Sequence, residues 1–392
     1  MKIAFIHQNM PGQFKHLAPH MAAAGHDVAF ITAKPKVEIP GVRKLLYKRH
    51  RLANASTHQY LRLFENSVIY GQAVARTMLE LRREGWQPDI VVAHPGWGES
   101  LFVKDIFPNV PLINFCEYYY GQDDIEEKKL DTIFRARARN AHLLLSLESC
   151  TRGLSPTEWQ KSRHPQPFHS KISVIFDGID TSIVKPDPTA SLSLQRAGRL
   201  TGEDEIITYI VRNLEPHRGF PTLMRALPKI LKERPHARVI IVGGDEISYG
   251  SAPEEGGTWR EKMLKEVQPE LDRVHFLGKI PYESCLKLLQ ISSVHVHLTL
   301  PFVLSWSCFE AMAAGCLVVA SATPPVLEVV RDGENGLLVP MEPEALADKV
   351  IEALAARDDL EALRTAARET ILSRYALDLC LPQQVALIEE TG

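Results

Sequence analysis

The sequence predicts an α/β protein made of two halves, each a parallel sheet with helices on its faces. Three observations carry that expectation. The chain opens with an apolar run at Ile3–Ile6, a turn at Pro11–Gly12–Gln13, a helical stretch Phe14–Ala24 closed by Gly25, and a second apolar run at Val28–Thr32. This β-loop-α-β order is half of a nucleotide fold. A second series of short apolar runs begins at Ile206–Val211 and continues at Arg238–Val242, Val274–Leu277 and Val294–Leu298. Runs of that length, bounded by turn residues, read as buried strands. Between the two series, residues 186–203 are polar and contain Pro, Ser and Gly, which suits a linker.

Length and composition agree. A chain of 392 residues with 45% apolar and 24% charged side chains is expected to fold as two or three domains with real cores. A net charge of −3 gives no reason to invoke nucleic acid. Six cysteines stand apart with no C-x-x-C pair, which favours a reducing, cytoplasmic setting. His7, His16 and His20, and likewise His295 and His297, have no Cys or acidic partner in metal-binding register. No metal site is expected. Met1–Lys2 leads straight into the first strand without a signal-peptide pattern. No apolar run reaches the roughly 18 residues of a spanning helix. The expected location is therefore cytoplasmic, with at most peripheral contact at the inner face of a membrane.

In the first half, each remaining segment has a reading. Lys34, Lys36, Arg43, Lys44, Lys48, Arg49 and Arg51 face only Glu38. This basic stretch is either a solvated face or a contact for an anionic surface. A long helix is expected over Thr57–Arg83 and a strand at Ile90–Ala93, followed by His94–Pro95–Gly96–Trp97–Gly98–Glu99. Ligands of open α/β sheets bind at such strand C-termini, which makes His94 a ligand-site candidate; a turn-capping His is the alternative. Pro111–Phe115 reads as the next strand and ends in Cys116–Glu117–Tyr118–Tyr119–Tyr120. The three tyrosines read either as a sugar-stacking wall or as core. Leu143–Leu147 and Ile172–Phe176 read as further strands, and Thr157 as a helix start. The first strand is not followed by G-x-G-x-x-G, so no dinucleotide is implied.

In the second half, Arg212 and Arg218 flank a turn after the strand Ile206–Val211. Two cations so spaced can converge on one diphosphate. Gly243–Gly244–Asp245 is a turn at the C-terminal end of the strand Arg238–Val242, and Gly278–Lys279–Ile280–Pro281 ends the next. Val294–Leu298, the loop Pro301–Ser305, a helix through Glu310 to Ala314, Gly315 and the strand Cys316–Ala320 form a strand–loop–helix–strand unit. Ser305 or Ser307 can cap the helix, whose free N–H groups then face an anion. Glu310 is placed to accept hydrogen bonds from ligand hydroxyls. The tail from Glu344 reads as helical, with Pro382 starting a new helix inside Leu377–Ile388.

The run Phe309–Gly315, the strand Val318–Ala320 and the block Glu328–Val339 resemble the signature of the retaining nucleotide-sugar glycosyltransferases of family 4, glycosyl transferases group 1. That resemblance extends over residues 1 to about 340. It implies the GT-B fold: two facing Rossmann-like domains with parallel sheets and an interdomain cleft. The implied parts are an N-terminal acceptor-side domain over 1–185, a linker at 186–203, a nucleotide-sugar domain over 204–375, and a C-terminal helix over 376–392 that packs back on the first domain.

The implied reaction moves a sugar from a nucleoside diphosphate, UDP or GDP, to a glycan, lipid-linked or small-molecule acceptor with retention of configuration. It requires neither metal nor cofactor, and polysaccharide biosynthesis is the implied setting. Arg212 and Arg218 then meet the donor diphosphate, with Arg in the usual Lys position at 218. Gly12 and Gln13 lie near donor and acceptor, His94 matches the family's His-containing turn on the acceptor side, Gly243 lines the nucleotide end, and Ile280 offers backbone to the base. Val303, Leu304 and Ser305 form the donor loop, and Glu310 holds the ribose. The chain departs from the pattern twice: Phe302 stands where the family has the first Glu of its motif, and Glu117 where many relatives have a His. The alternative is a non-catalytic GT-B-like partner that binds nucleotide or glycan.

Overall fold

The computed structural model describes residues 1–121, 130–195 and 197–392. They form two compact units. One comprises Met1–Gly178 with Asp378–Gly392, the other Ile179–Leu377.

The first unit is a seven-stranded parallel sheet. Its strands are β1 (Lys2–Ile6), β2 (Asp27–Thr32), β3 (Val42–Leu46), β4 (Ile90–Ala93), β5 (Leu112–Phe115), β6 (Arg152–Ser155) and β7 (Ile172–Val174). The order across the sheet is β3-β2-β1-β4-β5-β6-β7. Parallel strands are covered on both faces, so they read as apolar runs. The side chains of β1 divide accordingly. Ile3 and Phe5 join Phe30, Ile90 and Val92 on one side, while Ala4 and Ile6 join Ala29, Val91 and Ala93 on the other. The strand order reverses between β1 and β4, where crossovers to either side leave a crevice at the strand C-termini. His7 and His94 directly follow those two strands.

Helices α1 (Leu17–Ala23), α2 (Arg62–Arg83), α3 (Val103–Ile106), α4 (Leu130–Arg139), α5 (Ala141–Ser149) and α6 (Glu158–Arg163) complete this part of the unit. Leu143–Leu147, expected as a strand, lies in α5. Its buried residues His142, Leu143, Ser146 and Leu147 follow helical spacing. A five-residue apolar run does not by itself distinguish the two states. The long helix begins at Arg62, not Thr57, because Asn54–Thr57 forms a turn whose hydroxyl and carbonyl groups hold Glu65 and Arg62. Thr157 caps α6 through the Gln160 N–H, as expected.

The second unit opens with an antiparallel hairpin, β8 (Ser191–Leu194) and β9 (Gly198–Thr201), inside the stretch expected as a linker. Ala190 and Leu200 are buried with Ile206 and Ile240, so that stretch carries core residues despite its polar composition. The main sheet has six parallel strands: β10 (Ile206–Asn213), β11 (Arg238–Gly244), β12 (Val274–Gly278), β13 (Val294–His297), β14 (Val318–Ser321) and β15 (Leu337–Val339). Their order is β12-β11-β10-β13-β14-β15, reversing between β10 and β13. Ile207, Tyr209, Val294 and Val296 face the larger core. His295 and His297, on the opposite face of β13, are also buried.

The helices here are α7 (Phe220–Glu233), α8 (Trp259–Val267), α9 (Tyr282–Gln290), α10 (Trp306–Ala313), α11 (Pro324–Leu327), α12 (Pro343–Ala355) and α13 (Glu361–Arg374). The last helix, α14 (Leu377–Thr391), returns to the first unit and buries Leu387 and Ile388 against the β1 cluster. Pro382 lies within α14 rather than starting a new helix. Proline supplies no N–H to the preceding turn, and the Gln383 side chain donates to the Leu379 carbonyl, one turn back, at 3.0 Å. No described helix is long and apolar enough to cross a membrane.

Candidate functional site

The sheet of the first unit delivers four polar side chains to its switch point. His7 follows β1, Gln13 stands in the turn after it, His94 follows β4, and Glu117 follows β5. They form one chain of hydrogen bonds. His7 Nε2 meets Gln13 Oε1 at 2.6 Å, Gln13 Nε2 donates to Glu117 Oε1 at 2.6 Å, and His94 Nε2 meets Glu117 Oε2 at 3.2 Å.

The backbone fixes the direction. The Asn9 N–H donates to His7 Nδ1 at 2.8 Å, and the Gly96 N–H donates to His94 Nδ1 at 3.1 Å. A ring nitrogen that accepts from an amide carries no proton, so each imidazole donates through Nε2. Gln13 must then accept from His7 and donate to Glu117. Every neighbour donates to the carboxylate.

Electrostatics follow the same arrangement. Burial, with His94 adjacent, drives the His7 pKa down to about 3, so this imidazole is neutral. Burial pushes Glu117 upward, but the hydrogen bonds donated by His94 and Gln13 oppose it, and the carboxyl is held below its ordinary range. About a third of the Glu117 side chain is exposed.

Close packing holds the parts. The His7 and His94 rings are 4.6 Å apart, and Trp97 lies 5.2 Å from His94. Gly12 has φ +55°, and a Cβ there would stand 2.5 Å from His7 Nε2. The turn therefore needs glycine for conformation and for space. Gln160 Nε2 fixes the Glu117 carbonyl at 2.6 Å.

Tyr118 is buried, with its ring 5.1 Å from Tyr120 and 5.9 Å from Trp159; Arg139 lies over Tyr120 at 3.6 Å. Behind the site Glu99 is fully buried. It accepts from the Tyr47 hydroxyl at 3.0 Å and the Trp97 N–H at 3.2 Å. Burial raises its pKa to about 7.

Sequence reasoning missed His7, Trp97 and Glu99 as part of this site. His7 carried one usable signal: it directly follows the first strand, as His94 follows its own.

In the second unit, the loop after β10 carries Arg212, Glu215 and Arg218. Arg218 is buried at the switch point and donates from Nη1 to Thr299 Oγ1 at 3.0 Å and to the Val303 carbonyl at 2.9 Å. Its guanidinium also lies over Tyr249 at 5.4 Å and over Phe302 at 5.7 Å. Arg212 is exposed, and its side chain makes no hydrogen bond among the described residues. Its charge helps hold the Glu246 carboxyl down, after the larger effect of Lys279.

Glu215 is buried, and its Oε2 accepts from the N–H groups of Ser248, Tyr249 and Gly250 at 3.1–3.3 Å. This clamp presents Tyr249 to Phe302, with ring centroids 4.7 Å apart. Neither Glu215 nor Tyr249 was singled out from sequence, because their pairing spans 34 positions.

The remaining predicted residues surround the same strand ends. Gly243 lies in β11, where a Cβ would press 2.9 Å from Leu214 Cδ2. Ile280 is half-buried after β12 against the Ile206 and Leu288 cluster. Leu304 is buried. Ser305 caps α10, its hydroxyl accepting from the Ser307 N–H at 3.4 Å. Glu310, one turn into α10, accepts from the Tyr282 hydroxyl at 2.8 Å.

Comparison with known proteins gives concordant results. Residues 24–184 match the family model described as Glycosyl transferase family 4 group. Residues 194–370 match the model described as Glycosyl transferases group 1. A GDP-mannose-dependent alpha-(1-6)-phosphatidylinositol monomannoside mannosyltransferase of Mycobacterium tuberculosis is 27% identical over 243 residues, 57% of each chain. A D-inositol 3-phosphate glycosyltransferase of Streptomyces scabiei is 26% identical over 55% of this chain and 48% of its own. The chain thus spans about half the length of these curated relatives. Among solved structures, sucrose-phosphate synthase of Thermosynechococcus elongatus matches 100% of this chain and 98% of its own, with a TM-score of 0.76 and 18% identity. Anabaena HepE in complex with UDP-glucose matches 100% of both chains, with a TM-score of 0.74 and 16% identity.

Proposed function

The chain belongs to the glycosyl transferases of family 4 and group 1, with the GT-B fold, and from that premise we propose that it transfers a sugar from a nucleoside diphosphate to a hydroxyl acceptor with retention of configuration. The observation that carries this reading is Arg218, a buried guanidinium at the ends of β10 and β13 beside the loop leading into α10.

Breaking the glycosidic bond to a diphosphate builds negative charge on the leaving phosphate oxygens. Preorganised donors aimed at such charge are the largest source of catalysis in many enzymes. Arg218 is held in place by Thr299 and Val303 and needs no reordering to act. Arg212 supplies a second, solvent-exposed cation. The N–H groups at the start of α10, behind Ser305, add the positive end of a helix dipole. These three charges neutralise the departing diphosphate without a metal. Glu310 accepts from the ribose hydroxyls, with Tyr282 holding the carboxylate. Ile280 and Gly243 border the base, which is uracil or guanine. The acceptor meets the first unit at Gly12, Gln13, His94 and Glu117. The departing phosphate takes the acceptor proton, and no covalent nucleophile is invoked.

The test is a thermal-shift panel with UDP, GDP and ADP, followed by turnover of the corresponding sugars. A ligand at about 100 times its dissociation constant adds roughly 2.7 kcal/mol of stability. No shift with any of the three sinks the reading. A second reading, a non-catalytic nucleotide- or glycan-binding partner, is favoured by Phe302, which puts an aromatic ring where the family uses a carboxylate. A nucleotide shift without turnover of any sugar supports that alternative.

A further inference from the structure

The geometry of the first unit's switch point points to the kind of acceptor it takes, given the reading above that this unit is the acceptor side. We infer that Glu117, with Trp97 beside it, is a hydroxyl-reading subsite for an uncharged polyhydroxylated ring, and that it rejects an acceptor bearing phosphate at the group that meets it.

The argument rests on a one-way chain of donors. Two backbone amides, those of Asn9 and Gly96, occupy the Nδ1 atoms of His7 and His94. Both imidazoles therefore direct N–H outward through Nε2. Reversing the Gln13 amide would set its NH2 group against the His7 N–H, so Gln13 donates to Glu117. A protonated Glu117 would have to donate in turn, and neither neighbour can accept. The carboxylate is thus acceptor-only. Each of its oxygens has two lone pairs, and each receives one donor, Gln13 on Oε1 and His94 on Oε2. Lone pairs remain on both oxygens, and about a third of the side chain is exposed. The remaining partners must be donors from outside, and sugar hydroxyls are such donors.

Charge decides between classes of ring. The cluster of His7, Gln13, His94 and Glu117 holds one anion and, among the described residues, no hydrogen-bonded Lys or Arg. His7 is neutral because of its burial. The nearby arginines are turned elsewhere: Arg139 bonds the Tyr120 hydroxyl at 2.7 Å and Arg163 lies over Trp159 at 5.6 Å. A phosphate brought to Glu117 would meet a like charge with no cation hydrogen-bonded to the cluster among the described residues to offset it, a costly juxtaposition. Trp97, half-buried and in ring contact with both histidines, offers an apolar face against which a pyranose can stack. The relatives whose names include phosphatidylinositol or inositol 3-phosphate would in this respect differ from this chain.

The experiment uses the full chain and an acceptor panel: glucose, N-acetylglucosamine and myo-inositol against glucose 6-phosphate and inositol 1-phosphate. Binding is read by calorimetry and transfer by nucleotide release. The expected result is at least a tenfold preference for the neutral member of each pair. Glu117→Gln should cut that preference at least tenfold, while Trp97→Ala weakens both members alike. Preference for the phosphorylated member, no binding of either class, or a ratio unmoved in a folded Glu117→Gln protein overturns the inference. So does an effect of Glu117→Gln confined to the donor KM. If Glu117→Gln does not fold, the wild-type ratio decides alone. Loss of the donor reading would appear separately, as neutral rings that bind without any nucleotide sugar being turned over.

Discussion

Arg212 and Arg218 have different environments, and their replacements should separate accordingly. Arg218 is buried and bonded to Thr299 and Val303, so Arg218→Ala removes both a phosphate ligand and a fold contact. A hydrogen bond to a charged group is worth about 1.5–3 kcal/mol. Calorimetry should therefore show weaker nucleoside-diphosphate binding together with a lower Tm. Arg212 is exposed and forms no such bond, so Arg212→Ala should raise the dissociation constant about tenfold and leave Tm within a degree or so. Equal nucleotide affinity in both variants and the parent would remove the phosphate assignment. Phe302 invites a third substitution. Its ring packs 4.7 Å from Tyr249 and lies under Arg218. Phe302→Glu would break the ring contact but place a carboxylate near that guanidinium, which would then compete with the donor phosphate for it. Turnover of the preferred donor should fall; a folded variant with higher turnover would identify the pocket as an impaired copy of the usual one.

At the scale of elements, what was legible depended on how local the signal is. The parallel strands β1, β2, β4, β5 and β10–β14 each carry a compact apolar run, because both faces of the sheet are covered. The edge strand β3 was hidden inside a basic stretch: Arg43 and Lys44 stand side by side between Val42 and Leu45, and these charges interrupt the apolar run. The strand β6, Arg152–Ser155, reads Arg-Gly-Leu-Ser and so has no apolar run to stand out. The His7–Gln13–Glu117–His94 chain was only half legible. Gln13, His94 and Glu117 each had a positional signal, but Gln13 and Glu117 are 104 positions apart, and their bond exists only because the sheet order places β1 and β5 on either side of β4.

The basic stretch itself is largely spoken for. Arg43 pairs with Glu84 at 2.5 Å, Lys44 with Glu38, and Arg51 with Glu65 at 2.5 Å, while Arg49 lies 4.5 Å over Tyr70. Contact with an anionic surface therefore falls to Lys34, Lys36 and Lys48. Replacing all three by Gln should abolish any salt-sensitive co-sedimentation with vesicles containing acidic lipid. Retained binding in that triple variant would assign the contact elsewhere; a parent that fails to bind at low salt would assign the stretch to the fold.

Across the whole molecule, the buried histidines set how stability responds to acid. Burial lowers His7 and His295 to about 3 and His142 and His164 to about 4, and it holds His297 well below the usual value. The four with numbers are distributed over both units, three in the first and His295 in the second. In the unfolded chain each titrates near 6.5. Between 6.5 and the folded values, the unfolded state binds protons that the native state refuses, so stability falls as pH drops through that window. Glu99 acts in the opposite sense. Its folded pKa, raised by burial to about 7, lies above its unfolded value, so its contribution is full below about 4.5 and declines as pH rises toward 7. One carboxyl against several imidazoles cannot reverse the slope below 6.5. Calorimetric scans should find Tm highest near neutrality and falling steadily from pH 6.5 to 5. His142→Gln and His295→Gln should each flatten that fall by about one proton's worth, 1.36 kcal/mol per pH unit, whatever they cost at pH 7. A parent Tm that stays level from pH 7 to 5 would mean that these imidazoles are protonated in the folded protein, and with that the one-way donor chain from His7 to Glu117 would also lose its basis.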